Sequence, residues 1–166
     1  MNNTNFRKLK FRTRFWLIIF VLGLAFGSQM FFFVTPQITW LNQMLGPGTA
    51  TEQRFSEMSA WIHHLYQGIT EIYTQYPFMA YCMDWLAFAQ LAFMVLFVGA
   101  VVNPQQNIWL IKGGMIICWL HILTALGCGT LRGIPFFWQL LDGSFGILGF
   151  IVLYAAYKNL KRLVKF

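Results

Sequence analysis

Four apolar runs dominate this chain of 166 residues: 15–34, 78–102, 108–131 and 136–157. Each holds about 20 residues or more, which at about 1.5 Å of rise matches a hydrocarbon layer about 30 Å thick. No water reaches that layer, so each backbone amide must be paired within its own segment, and the runs are predicted to be helices. Helix-stopping chemistry separates them: Thr35-Pro36 after the first, Asn103-Pro104 after the second, and Gly133-Ile134-Pro135 after the third. The predicted fold class is all-α, a polytopic membrane four-helix bundle forming a single domain.

Composition excludes the soluble alternative. Hydrophobic residues make up 58% of the chain and charged residues 10%, against about 25% charged in a soluble domain. The net charge of +7 would suggest nucleic acid in a soluble protein, but its placement gives a simpler cause. Arg7, Lys8, Lys10, Arg12 and Arg14 precede the first run, Lys158, Lys161, Arg162 and Lys165 follow the last, and Lys112 lies beside the connection from the second run to the third. With four spans these regions share one side, leaving only Arg54 and Arg132 opposite. The positive-inside rule puts both termini in the cytoplasm. The expected partners are the lipid bilayer and other membrane protein subunits, with no nucleic acid. The first run is too long for a signal-peptide core and ends at no small-x-small site, so it is expected to stay as an anchor.

The sizeable segment outside the spans is 37–77. Thr49 and Glu52 have the spacing of a capping box. Phe55, Met58, Ile62, Leu65, Ile69, Ile72 and Tyr76 recur at helical spacing on one stripe, so an amphipathic helix is predicted over about 50–76 in this first outer loop. It would lie in the headgroup layer or cap the bundle.

Polar residues inside the spans are where a function would be sought, because an ionisable group there costs about 3 kcal/mol. Asp84, His121, Arg132 and Asp142 come from three spans and fall in the outer half, a candidate pocket for a ligand or proton. The ordinary reading is structural: interhelical pairs, above all Asp142 with Arg132 across the short turn. A bis-histidine haem needs two facing imidazoles, and His121 is the only histidine in the spans. His63 and His64 diverge by about 100° on a helix, and His64 stands about 10.5 Å along it from Glu57 and Glu71, so a solvated face explains them better than a metal. Cys82, Cys118 and Cys128 lack C-x-x-C spacing; a Cys82–Cys128 disulfide needs neighbouring helices, and free buried thiols are the ordinary case. Gly23 and Gly27, and Gly143, Gly146 and Gly149, permit close helix packing within the chain. Trp16, Trp40, Trp61 and Trp138 fall near predicted interfaces.

The runs Asp84-Trp-Leu-Ala-Phe-Ala89, Asn107-Ile-Trp109, Arg132-Gly-Ile-Pro-Phe-Phe-Trp138 and Asp142-Gly-Ser-Phe-Gly146 resemble a family of small bacterial four-span membrane proteins. The likeness covers roughly half the chain. It implies an inner-membrane location and a four-span fold, and it carries no activity or site residue over. It also implies relatives with His in place of Gln90 and Cys in place of Gly143, so a site using those positions would be altered here.

No catalytic signature is present: no G-x-S-x-G, H-E-x-x-H or phosphate loop. The expected function is a non-catalytic accessory or scaffold component of the bacterial inner membrane, without metal or cofactor. The alternative is a small-ligand- or proton-handling protein using Asp84, His121, Arg132 and Asp142; a membrane oxidoreductase using the cysteines ranks third. The charge map generates a test of topology. A C-terminal green fluorescent protein fusion should be bright and an alkaline phosphatase fusion inactive, and the reverse pattern would refute four spans in this orientation.

Overall fold

The computed structural model describes residues 3–164; Lys165, counted above with the basic tail, lies outside them. The described residues are helical almost throughout, with α1 at Asn3–Phe32, α2 at Val34–Leu45, α3 at Ala50–Arg54 and α4 at Ser56–Gln75. Three long helices follow, α5 at Phe78–Val102, α6 at Ile108–Leu131 and α7 at Phe136–Val164. The all-α class therefore holds. Helices α1, α5, α6 and α7 are long and apolar enough to cross a membrane, and only 11% to 22% of each span's most apolar stretch is buried within the protein. Most of that apolar surface faces outward, as it must when lipid is the solvent.

The predicted ends of the second and third spans coincide with those of α5 and α6. The first span stops two residues earlier than predicted, at Phe32. Pro36 has no N–H, and its ring would strike the Phe32 carbonyl four residues back. Phe33 therefore leaves the helix, with φ −116° and ψ 37°. The chain does not become a loop there. It restarts as α2 with Pro36 in the first turn, where no intrahelical donor is needed.

The described residues form two compact units: one up to Leu24 and from Ala92 onward, the other Ala25–Leu91. In the second unit, α2 packs against α4, and α3 packs against both. Ile38 of α2 and Ile62 of α4 are buried there. The predicted helix over 50–76 is thus two helices, broken at Phe55 (φ −139°, ψ 63°). No proline or glycine stands at the break. Across this break α3 keeps its contact with α2 as well as with α4. The middle of the predicted stripe faces inward at Met58, Ile62, Leu65 and Ile69, whereas its ends Phe55, Ile72 and Tyr76 are exposed. The capping box forms only incompletely. The Glu52 carboxylate accepts from the Gly48 N–H at 2.7 Å, and the Thr49 hydroxyl turns back to donate to the Gly46 carbonyl. In the same unit α1 meets α5, where the Ser28 hydroxyl donates to the Ala87 carbonyl at 3.2 Å and the Gln90 amide lies over Gly27.

The other unit has one core, in which Leu17, Phe97, Ala100, Ile111, Cys118 and Leu153 meet. Phe20 and Phe97 pack with ring centroids 4.7 Å apart. All three cysteines are free. Helices α6 and α7 approach closely. A Cβ on Gly146 would lie 2.8 Å from the Cys118 carbonyl oxygen, and one on Gly114 would lie 2.8 Å from the Leu153 side chain. At Gly149 the Cys118 sulfur would be 3.0 Å away, but at Gly143 nothing comes within 4 Å. Gly146→Ala and Gly143→Ala should therefore act in opposite directions in thermal unfolding in detergent. The first must push the α6 and α7 backbones apart and should lower the Tm. The second should raise it, since alanine gains about 1 kcal/mol over glycine inside a helix. Equal effects would show that Gly146 is not at the contact.

Candidate functional site

The turn from α6 to α7 is built by its last residues. Gly133 takes the left-handed conformation, φ +68°, which glycine adopts without a Cβ clash. The Ile134 N–H then donates to the Gly129 carbonyl at 3.0 Å and the Gly133 N–H to the Thr130 carbonyl at 3.2 Å. These two bonds define a Schellman motif, and Pro135 immediately after it prevents α6 from continuing. Gln139, 4% exposed, locks the turn from α7. Its Nε2 donates to the Ile134 carbonyl at 2.7 Å, and its Oε1 accepts from the Thr130 hydroxyl at 3.2 Å. The side chain fits because position 129 is glycine: a Cβ there would lie 2.7 Å from Gln139 Cγ.

One turn further along α7, His121 of α6 reaches the Asp142 backbone carbonyl, Nε2 to oxygen 3.0 Å. A carbonyl only accepts, so Nε2 carries the proton and Nδ1 of the neutral ring remains an acceptor. Gly146 makes this approach possible, since a Cβ there would lie 3.1 Å from His121 Cδ2. The Asp142 side chain is half-buried, and the ionisable side chain beside it is His121, not Arg132. The expected Asp142–Arg132 pair does not form: Arg132 is exposed and contributes its backbone N–H to the end of α6, 3.1 Å from the Cys128 carbonyl. No ion pair joins its guanidinium to a carboxylate among the described residues. The turn is held by neutral groups, and Arg132, at its rim, is left to reach outward.

Of the four candidate residues, then, His121 and Asp142 come together and Arg132 stands apart from both. Asp84 belongs to the other unit, where it is exposed. Its charge acts there on Tyr73 of α4, whose phenol burial pushes above its ordinary value, with Asp84 and Cys82 adding to the effect. His63 and His64 diverge as expected. His63 Nδ1 lies 3.1 Å from Asn42 Oδ1, while His64 packs on Trp61. Among the described residues no three His, Cys, Asp or Glu side chains gather closely enough to hold an ion.

Sequence reasoning missed Gln139, Asn107 and Arg14 as structural donors. Asn107 donates from Nδ2 to the Gly99 and Asn103 carbonyls, and an Arg14 Nη donates to the Val102 carbonyl at 2.7 Å. Together they reach the Gly99 and Val102 carbonyls of the last turn of α5 and the Asn103 carbonyl just beyond it. Position was the available signal, since a polar side chain within a few residues of a helix stop is a capping candidate.

Fold and site together define a multi-pass, all-α membrane protein whose intramembrane polar groups are spent largely on backbone carbonyls. Comparison with protein-family models, curated proteins and solved structures finds no match.

The turn gives a direct test. Gln139→Leu should lower stability by about 1–2 kcal/mol, the cost of stranding a buried acceptor. Arg132→Gln should stay within about 0.5 kcal/mol, as exposed substitutions do. Denaturation of both variants in detergent reads the difference; a larger loss for Arg132→Gln would restore the ion-pair account.

Proposed function

We propose that this chain is a non-catalytic accessory or scaffold component of the bacterial inner membrane, with both termini on the cytoplasmic side. The observation that carries this reading is where the polar side chains of the spans spend their donors. Ser28, His121 and Gln139 each donate to a backbone carbonyl of a helix end or a neighbouring helix. Groups committed in this way stitch helices together and are poorly placed to exchange with a substrate. The cation distribution supports the orientation, and the likeness to small bacterial four-span membrane proteins supports the compartment.

The alternative reading, a ligand- or proton-handling pocket using Asp84, His121, Arg132 and Asp142, has one observation in its favour. The Asp142 carboxylate is half-buried beside His121 and accepts no hydrogen bond among the described residues. The readings separate when His121→Gln and Asp142→Asn are placed on the chromosome and compared with a deletion. Under the scaffold reading any growth defect follows the amount of protein left in the membrane, measured by immunoblot. A deletion-like defect at normal abundance would overturn it in favour of the pocket.

A further inference from the structure

An open cavity of about 290 Å³ lies at the basic end of α7, lined by Tyr154, Tyr157, Lys158, Lys161 and Arg162. Two features fix its aromatic wall. Lys112 of α6 sets its ammonium 5.8 Å from the centre of the Tyr157 ring, a cation–π distance. Tyr154 stacks on Phe150 at 6.0 Å and 10°, and Phe150 packs edge-on against Trp119 of α6 at 5.7 Å. The three cations of the cavity are exposed, and none is paired with a carboxylate among the described residues. Their positive charge is therefore unneutralised by the described residues.

What covers this charge is indicated by the ridge that leads into it. Ile147, Ile151, Tyr154, Lys158 and Lys161 follow one another at spacings of four and three, so they share one face of α7. Ile147, Ile151 and Tyr154 are about half exposed. From Ile147 to Lys161 the helix rises about 21 Å, which matches one leaflet of a bilayer about 40–45 Å thick with its headgroups. Apolar side chains occupy the hydrocarbon part of that rise, a tyrosine the interface, and cations the headgroup level. Free phosphate would use only the last of these, and an acidic protein segment would not use the apolar ridge at all.

We propose that the basic end of α7 binds the headgroup phosphate of an anionic phospholipid, whose acyl chain lies along the Ile147–Ile151 ridge. The proposal rests on membrane embedding and is independent of the scaffold reading.

The test uses the full chain in nanodiscs of phosphatidylcholine with or without phosphatidylglycerol, read by lipid retention in native mass spectrometry and by Tm. The wild type should retain phosphatidylglycerol over phosphatidylcholine and melt higher in its presence. Lys158→Gln/Lys161→Gln/Arg162→Gln should weaken that retention by at least about tenfold, given about fivefold per cation near an anionic surface. Arg7→Gln/Lys8→Gln/Lys10→Gln removes the same charge elsewhere and should leave retention nearly unchanged. Ile151→Ser, which keeps every cation, should also weaken it. Equal loss in the two triple variants would overturn the proposal in favour of a diffuse surface charge. A full Tm rise with inorganic phosphate alone would overturn it in favour of a bare anion site. No preference for phosphatidylglycerol in the wild type would overturn it outright, and since the altered cations are solvent-exposed, their loss is not expected to prevent folding.

Discussion

A helix inside hydrocarbon pairs all its own amides except at its ends, where about four carbonyls are left without donors. In water those carbonyls would be hydrated; near a lipid core the protein itself must supply the donors. Much of the specific chemistry of this chain answers that requirement. Asn107 and Arg14 serve the end of α5. The backbone of Gly133 and Ile134, backed by Gln139, serves the end of α6. The proline-bearing connections are therefore more than interruptions between spans. They let a residue just past each stop fold back and serve the helix it has left.

Side-by-side association of the spans needs a different source of stability, because moving a leucine from lipid to a helix interface gains little hydrophobic free energy. Dispersion remains, and it falls off steeply with distance, so backbones that approach closely gain most. Gly114, Gly146 and Gly149 provide that closeness between α6 and α7. The short separation has a chemical consequence. It brings the His121 ring within reach of a carbonyl on the opposite helix, which a larger residue at position 146 would have blocked. Packing and polar chemistry in this region of the fold are one arrangement.

Long-period features were legible in the sequence, and features that depend on a second helix were not. The spans could be read because hydrocarbon thickness fixes their length and glycine, asparagine and proline mark their ends. The α2 helix was missed because Pro36 reads equally as a stop and as a first-turn residue. The glycines of α7 show the same limit. Residues three apart on a helix differ by about 60° in direction, so Gly143 and Gly149 diverge by about 120° and cannot both join Gly146 on one face. Their spacing allowed either pair; only α6 selects Gly146 and Gly149. The Asp142–Arg132 pairing failed for a related reason. Sequence proximity across a turn suggested it, yet the Schellman geometry commits the arginine's backbone and leaves its side chain at the rim.

Neutral donors suit this setting better than ion pairs do. Two charges brought into low dielectric lose hydration that their attraction often fails to recover, whereas a backbone carbonyl is already present and needs only one donor. The chain follows that logic by stitching its spans with Ser28, His121 and Gln139 and by concentrating cations at helix ends. At the basic end of α7 the neighbouring groups are aromatic rings rather than carboxylates: Tyr157 under Lys112, and Tyr154 held by Phe150. Rings order the site without cancelling its charge. A carboxylate in the same place would have cancelled part of that charge. Aromatic ordering keeps Lys158, Lys161 and Arg162 electrically available at the depth where lipid phosphates lie.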